Sequence, residues 1–558
     1  MRYYILLLFA FFTIASTAQK NNKAYKISYS RSSNGKTIEG QDPILVFSDS
    51  KETIITSENN ITGKADFPFE ETFIAQDSNA IVQSAQLSAS KKIVTIDSLS
   101  LGKQTFEISN ETKTILGYKC KKAKTIVNSN TIELWYTNDL NAKGAPSVLG
   151  QKLGLVLEMV RNNNYVITAT KIEKIKAIPA NLSPLKTKFT AIDLLSFRDL
   201  LWKSRFTTIP VFENEVINFS EESKSNDSIF RFANGTIILK KIKFPEIKPG
   251  SQVFVDLKEQ SNGDAYDRTG SVFVITAKEK FSFLNGLQEG AKTLPIYENG
   301  NGKQYQGVVK TDNYLPLLEL MRFFTPFGIK QYGHIQLKDK TWHESVPYRQ
   351  DISELQSALS NQEIIYVGAF IGNYDKGGHK ISLNITIHSE EKQNPKNTFL
   401  LPLFNTTNIM EMAGQEYATM FNNEKGIEVS FTLEKDIKNA KLRYITTGHG
   451  GWENGDEFVP KKNTILLDGN EAFSFVPWRM DCGSYRLFNP ASGNFGNGLS
   501  SSDYSRSNWC PGTVTNPNLI DLGDLKAGKH TIQVKIPQGE NEGGSFSSWN
   551  VSGVLIGE

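Results

Sequence analysis

Residues 381–388 read Ile381-Ser382-Leu383-Asn384-Ile385-Thr386-Ile387-His388. Apolar and polar side chains alternate along the whole stretch, the period-two signature of a strand with one buried face. Val253, Val255 and Leu257 alternate in the same way with Gln252, Phe254 and Asp256, and Ile532, Val534 and Ile536 with Gln533 and Lys535. Clusters of Gly, Asn, Asp and Pro bound these runs, as antiparallel sandwiches require. Helical period is scarce. Residues 315–324, with Asp312 or Asn313 as cap, form a helix candidate, and 351–359 a turn or two. The expected fold class is all-β.

The 558 residues suggest three to four domains. Lys plus Arg is 62 and Asp plus Glu 59, a net charge of +3, which gives no basic stripe for nucleic acid. Three cysteines exclude a disulfide-dense scaffold and a four-thiolate zinc site, and allow at most one intramolecular disulfide. At the N-terminus Arg2 precedes an apolar run at 5–15, followed by Ser16-Thr17-Ala18. That run is too short to span a bilayer and reads as a signal peptide, residues 1–18, cut between Ala18 and Gln19. The mature chain is expected to be secreted or periplasmic, with no membrane anchor. A Pro-bounded exit near 178–184, a fresh apolar rise at Ile209-Pro210-Val211 and a polar break at 389–397 divide the rest. The expected domains are a β-rich accessory domain at 19–205 and β-domains at 206–392 and 393–558.

The six histidines, His334, His343, His379, His388, His449 and His530, show no metal-binding spacing. No metal or organic cofactor is expected. No nucleophile elbow or phosphate loop is present. Three glycine-rich loops instead hold acids, arginines and aromatic rings: 262–268 with Asp267 and Arg268, 447–458 with Glu457 and Phe458, and 503–512 with Arg506 and Trp509. Such side chains suit carbohydrate, with rings to stack on sugar faces and acids for hydrolysis. In the first region Cys120 lies between Lys119 and Lys121, which could activate a thiol, although a half-buried structural thiol on a strand is the favoured reading.

Two resemblances follow from these motifs. Ile115-Leu116-Gly117-Tyr118-Lys119-Cys120, Leu134-Trp135-Tyr136-Thr137 and Gly150-Gln151-Lys152-Leu153-Gly154 are similar to the GLPGLI family of secreted proteins, which carries no chemistry across. From about Ile209 onward, Asp267-Arg268, Arg322-Phe323-Phe324-Thr325-Pro326-Phe327, Gly448-His449-Gly450, Glu457-Phe458 and Asn508-Trp509-Cys510-Pro511-Gly512 resemble the peptide-N-glycosidase F family. The extra N-terminal region resembles that family's type II.

The resemblance implies two adjacent eight-stranded antiparallel jelly rolls with the site at their interface, and an amidase that removes N-glycans from asparagine. It implies Asp267, Glu457 and Arg506 as catalytic residues, and a disulfide between Cys482 and Cys510. Arg268, Phe370, Gly448, His449, Gly450, Phe458 and Trp509 would contact substrate. The partners would be N-glycosylated glycoproteins and glycopeptides, the protein a monomer. The family's third acid aligns with Gly368, one tryptophan becomes Phe370, another becomes His449, and Gly263 replaces a cysteine. The expectation is that these smaller walls admit a core α1,3-fucose. Rival readings are a non-catalytic N-glycan lectin, a copper monooxygenase, and an endoglycosidase.

Overall fold

The computed structural model describes residues 24–182, 189–275, 281–328, 331, 336–359, 364–389, 399–415, 417, 419–450, 455–490, 501–538 and 547–558. The leader expected at 1–18, with its cut before Gln19, lies outside the described residues, as do 451–454 of the second loop. The chain divides into two compact units, Met1–Arg205 and Phe206–Glu558.

The first unit is built on a twelve-stranded antiparallel sheet. Strand Ala24–Ser33 lies within it, paired with Tyr165–Ile175 on one side and Ile44–Ser48 on the other. Its Ile27 and Tyr29 point into a core shared with Leu155 and Leu157. Cys120 sits in that same core and is the free cysteine. Burial pushes its thiol up to about 11, which outweighs nearby Lys113, so Cys120 is a packing residue. Helix Leu194–Lys203, unforeseen in the sequence, is capped by the Asp193 carboxylate accepting from Ser196 N–H. Phe197 and Leu201, one turn apart, cover Ala85, Leu87 and Ile93.

The second unit contains two β-sandwiches. In the first, strands Thr207–Ile217, His379–His388, Gln252–Ser261 and Val346–Asp351 form one sheet. The facing sheet runs Phe230–Phe232, Ile237–Lys243, Ile364–Ile371, Thr269–Ile275, Leu318–Phe324 and Val514–Thr515. Ile381, Leu383, Ile385 and Ile387 all point into the core between the sheets, as the alternation foretold. Each such side chain contributes about 1.5–3 kcal/mol by leaving water. In the second sandwich, strands Phe399–Asn405, Ser548–Gly557, Ile437–His449 and Asn518–Leu525 face Ile427–Leu433, Gly528–Lys535, Asn463–Leu467 and Asn470–Phe475 across a separate core.

The helix expected at 315–324 is instead strand Leu318–Phe324. Every residue of it is buried, so the run is apolar on both faces and lacks alternation. A register shift against Val272 and Phe273 aligns Arg322 with Ser271 and Glu319 with Phe273, which puts both charges on one face at helix-like spacing. The turns expected at 351–359 are present as Ser353–Leu355 and Gln356–Leu359.

That charged face joins the sandwiches. Glu319 receives both Nε and Nη2 of Arg322, at 3.0 and 2.7 Å, and the hydroxyls of Ser271 and Ser552. Arg322 also donates to Thr407 Oγ1, Thr447 Oγ1 and the Asn550 carbonyl. Arg443, from the second sandwich, donates to the carbonyls of Glu319 and Leu320 and to Glu354. Each guanidinium is fully buried and compensated, the condition under which buried charge is tolerated.

Candidate active site

The loop between strands Gln252–Ser261 and Thr269–Ile275 carries Asp267 and Arg268. Backbone bonds tie it down on both sides: Asn262 N–H donates to Gly378 O, Gly328 N–H to Ala265 O, and Thr325 N–H to Arg268 O. Arg268 N–H in turn donates to Thr325 Oγ1 at 2.8 Å. Gly263 is forced by close approach, since a Cβ there would lie 2.8 Å from Asp375 Oδ1 and 2.9 Å from Gly377 Cα. A cysteine has no room at that position.

The opposing wall comes from the second sandwich. Arg506 exchanges backbone hydrogen bonds with Arg479, and Ser507 N–H donates to Glu457 O. Asn508 then turns through the left-handed region at φ +69°, which asparagine tolerates, and donates its amide to Thr446 O. The turn slides Trp509 beneath Arg506, with 4.2 Å between guanidinium carbon and ring centre. Phe324 stacks on Trp509, and the indole N–H donates to Gly448 O. Gly448 admits no side chain, because a Cβ would meet Asp456 O, Ser507 Cβ and Trp549 Cζ2 at 2.8 Å each. The disulfide Cys482–Cys510 closes this loop from behind.

Arg506 Nη1 donates to Glu457 Oε1 and lies 3.4 Å from Asp267 Oδ2. One guanidinium therefore links the two acids. Asp267 Oδ2 is itself buried with no hydrogen-bond donor among the described residues. Burial raises the Asp267 carboxyl against the pull of Arg506 and Arg268. Glu457 is pushed up to about 7 by burial, which the Arg506 charge opposes and the smaller effect of the Asp267 charge reinforces. Burial, with Arg322 and Arg506 nearby, lowers His449 to about 3, so its imidazole is neutral at pH 7. His449 Nε2 shares a hydrogen bond with Thr447 Oγ1 at 2.9 Å. Two acids with raised pKa values, joined by one arginine, suit water activation and proton transfer near neutrality.

Models of three families match in order along the chain. They are "N-glycanase peptide, N-terminal domain" over 27–199, "Peptide-N-glycosidase F, N terminal" over 208–387, and "Peptide-N-glycosidase F, C terminal" over 416–556. A solved structure of PNGF-II in space group C2 is 60% identical, with a TM-score of 0.88, covering 96% of this chain and 98% of its own. The chain belongs to the peptide-N-glycosidase F family, type II. A second crystal form of PNGF-II, in P21, matches at the same identity and TM-score over 96% of this chain and 99% of its own. PNGase F, a glycosylasparaginase from Flavobacterium meningosepticum, is 15% identical over 63% of this chain and 96% of its own, at a TM-score of 0.42. No curated protein matches.

In this peptide-N-glycosidase F chain, Asp267, Arg268, Glu457, Phe458 and Arg506 come together from the three glycine-rich loops. Phe458 covers Arg506 at 5.0 Å, and Gly450 O accepts from Glu457 N–H. Trp509 is only 4% exposed, so it braces Arg506 and presents little face to a ligand. Phe370 is not brought to the site: it packs in an apolar cluster with Ile237, Leu239, Phe273 and Met410. Gly368 leaves no room either. A Cβ there would meet Leu239 Cδ2 and Phe273 Cε2 at 2.5 Å, so the Phe273 ring fills the space beside Gly368.

Sequence reasoning missed the supports of Arg268. Asp264 accepts from its Nε at 2.7 Å and Nη2 at 3.1 Å, and the guanidinium lies 5.3 Å from the Tyr266 ring and 5.4 Å from Tyr374. Both tyrosines are half exposed, and Tyr374 OH donates to Glu411 at 3.1 Å. The four-residue spacing of Asp264 and Arg268, in a loop already singled out, was the available signal. No group of His, Cys, Asp and Glu among the described residues is arranged to hold a metal.

Proposed function

We propose that the protein hydrolyses the amide bond between the innermost GlcNAc of an N-glycan and its asparagine, releasing a glycosylamine and leaving aspartate. The observation that carries this reading is Arg506 bridging Asp267 and Glu457 within a family of N-glycanases. Asp267, with an unbonded buried oxygen, takes the proton of the attacking water or attacks the carbonyl itself. Glu457, as its carboxylate, orients the water, and the proton that Asp267 takes from that water passes on to the leaving amine. Arg506 stabilises the oxyanion that forms as the carbonyl is attacked. Arg268, between Tyr266 and Tyr374, offers a charged and aromatic edge for the sugar.

The Cys482–Cys510 disulfide, with the leader expected from the sequence, supports a chain that works outside the cytosol, on secreted glycoproteins and their glycopeptides. Tolerance of a core α1,3-fucose rests on His449 standing where the family has an indole, since Gly368 is filled. Glycopeptides with and without that fucose decide this, and cleavage of the unfucosylated form alone overturns it.

Weighing the peptide product tests the whole reading. An amidase leaves aspartate with no sugar. A peptide retaining one GlcNAc would mean an endoglycosidase, and an untouched glycopeptide a binding protein.

A further inference from the structure

Behind Arg268 lies a line of buried charges that the reaction does not touch. His379 opens strand His379–His388, and its Nδ1 is 2.8 Å from Glu259 Oε1 on the neighbouring strand. Its Nε2 faces Asp264 Oδ2 at 3.4 Å, and Asp264 clamps Arg268 with both oxygens. Glu259, Asp264 and His379 are at most 2% exposed. Two carboxylates and a guanidinium sum to one negative charge, and an imidazolium brings the line to neutrality.

We propose that His379 is a positioning residue for the sugar site, supplying the buried positive charge that keeps Asp264 locked on Arg268 and so fixes the orientation of the Arg268 guanidinium. The inference rests on the amidase reading above. Burial alone would favour a neutral ring, but the bonds to Asp264 and Glu259 overcome it and raise His379 to about 9. Against burial, the bonds from His379 and Arg268 hold Asp264 well below the usual carboxylate range. Beyond Glu259 stands the Tyr348 hydroxyl, whose own pKa burial and Glu259 raise, and beyond Asp264 stands Arg268. A fold-stabilising role alone does not account for the line. Ile381, Leu383 and Ile385 fill the next inward positions of the strand with ordinary apolar packing, and buried charge is a poor substitute for that. The charges instead run toward the loop that carries Asp267.

The test compares wild type, H379Q, R268K and the H379Q/R268K double variant on one N-glycopeptide, with KM and kcat separated and melting temperature measured alongside. H379Q is expected to raise KM about tenfold while kcat stays within about threefold, since it loosens a ligand contact and leaves Asp267, Glu457 and Arg506 in place. The double variant should be no worse than R268K alone, because both changes act through one contact. A folded H379Q with wild-type KM, or effects that multiply in the double variant, overturns the proposal. If H379Q does not fold, KM of the wild type is followed from pH 7 to 10. It should rise as His379 loses its proton, and a flat KM overturns the proposal. If the wild type cleaves no glycopeptide, the amidase reading falls separately. Chitobiose binding then decides: weaker affinity in H379Q, or in wild type at pH 10, upholds the positioning role, and unchanged affinity overturns it.

Discussion

Arg506 reaches Glu457 with a hydrogen bond and Asp267 at 3.4 Å through the same Nη1 nitrogen. The two acids sit on loops of different sandwiches, so this nitrogen is where the two halves of the site meet. Arg506 is fixed by its backbone pairing with Arg479 and by the Trp509 ring beneath it.

Replacing Asp267 by Asn removes the reacting carboxylate and keeps its shape. Deglycosylation should fall by roughly a thousandfold or more, read from the mass of the peptide product. Melting temperature should hold or rise above neutral pH. The folded pKa of Asp267 is raised, so the stability linked to it is full below the unfolded value and is lost as pH climbs through the folded one. Substantial retained activity would remove Asp267 from the mechanism.

Glu457 has a folded pKa of about 7, and its carboxylate form holds the water. The kcat/KM of the wild type should therefore rise with pH around a midpoint near 7. E457Q should be much slower and lack that inflection. An unchanged midpoint in E457Q would assign the titration to another group.

The Cys482–Cys510 disulfide closes a loop with a sequence separation of 28. On loop-closure entropy, C482A/C510A should cost about 3.5 kcal/mol of stability. Cys510 lies four residues from Arg506 on the same loop, so activity should fall below the melting temperature as well. Thermal melts and rates with and without reductant measure both effects.

At Gly368 the space is taken by Phe273 and Leu239. G368A should lower stability by about 1–3 kcal/mol, and G368E by more, since it adds a charge to an apolar cluster. Neither should add activity. A stable and faster G368E would show that the position opens onto the site after all.

The strands were legible because one face of each is buried, and Ile381 to Ile387 announce that face directly. Leu318–Phe324 was misread for the complementary reason: both its faces are buried, and a bulge gives Glu319 and Arg322 a spacing that imitates a helix turn. The acids of the site were legible because they crowd into short glycine-rich loops. Their supports were not. His379 meets Asp264 across 115 residues and Glu259 across 120, and no local pattern records a pairing made by sheet register. Trp509 was legible as a site residue but not as a brace, because only packing shows that Phe324 covers its other face.

Family boundaries at 387 and 416 suggest two separable modules, yet buried arginines bond across them. Arg322 needs Thr407, Thr447 and Asn550 from the far side of the boundary, Arg443 needs Glu354, and strand Val514–Thr515 completes a sheet begun some three hundred residues earlier. A chain cut between 392 and 393 would strand these ions in two unfinished halves. The cooperative unit of folding is thus expected to run through both matched stretches. Calorimetry of residues 206–558 should show one unfolding transition, and two well-separated ones would restore the modular view.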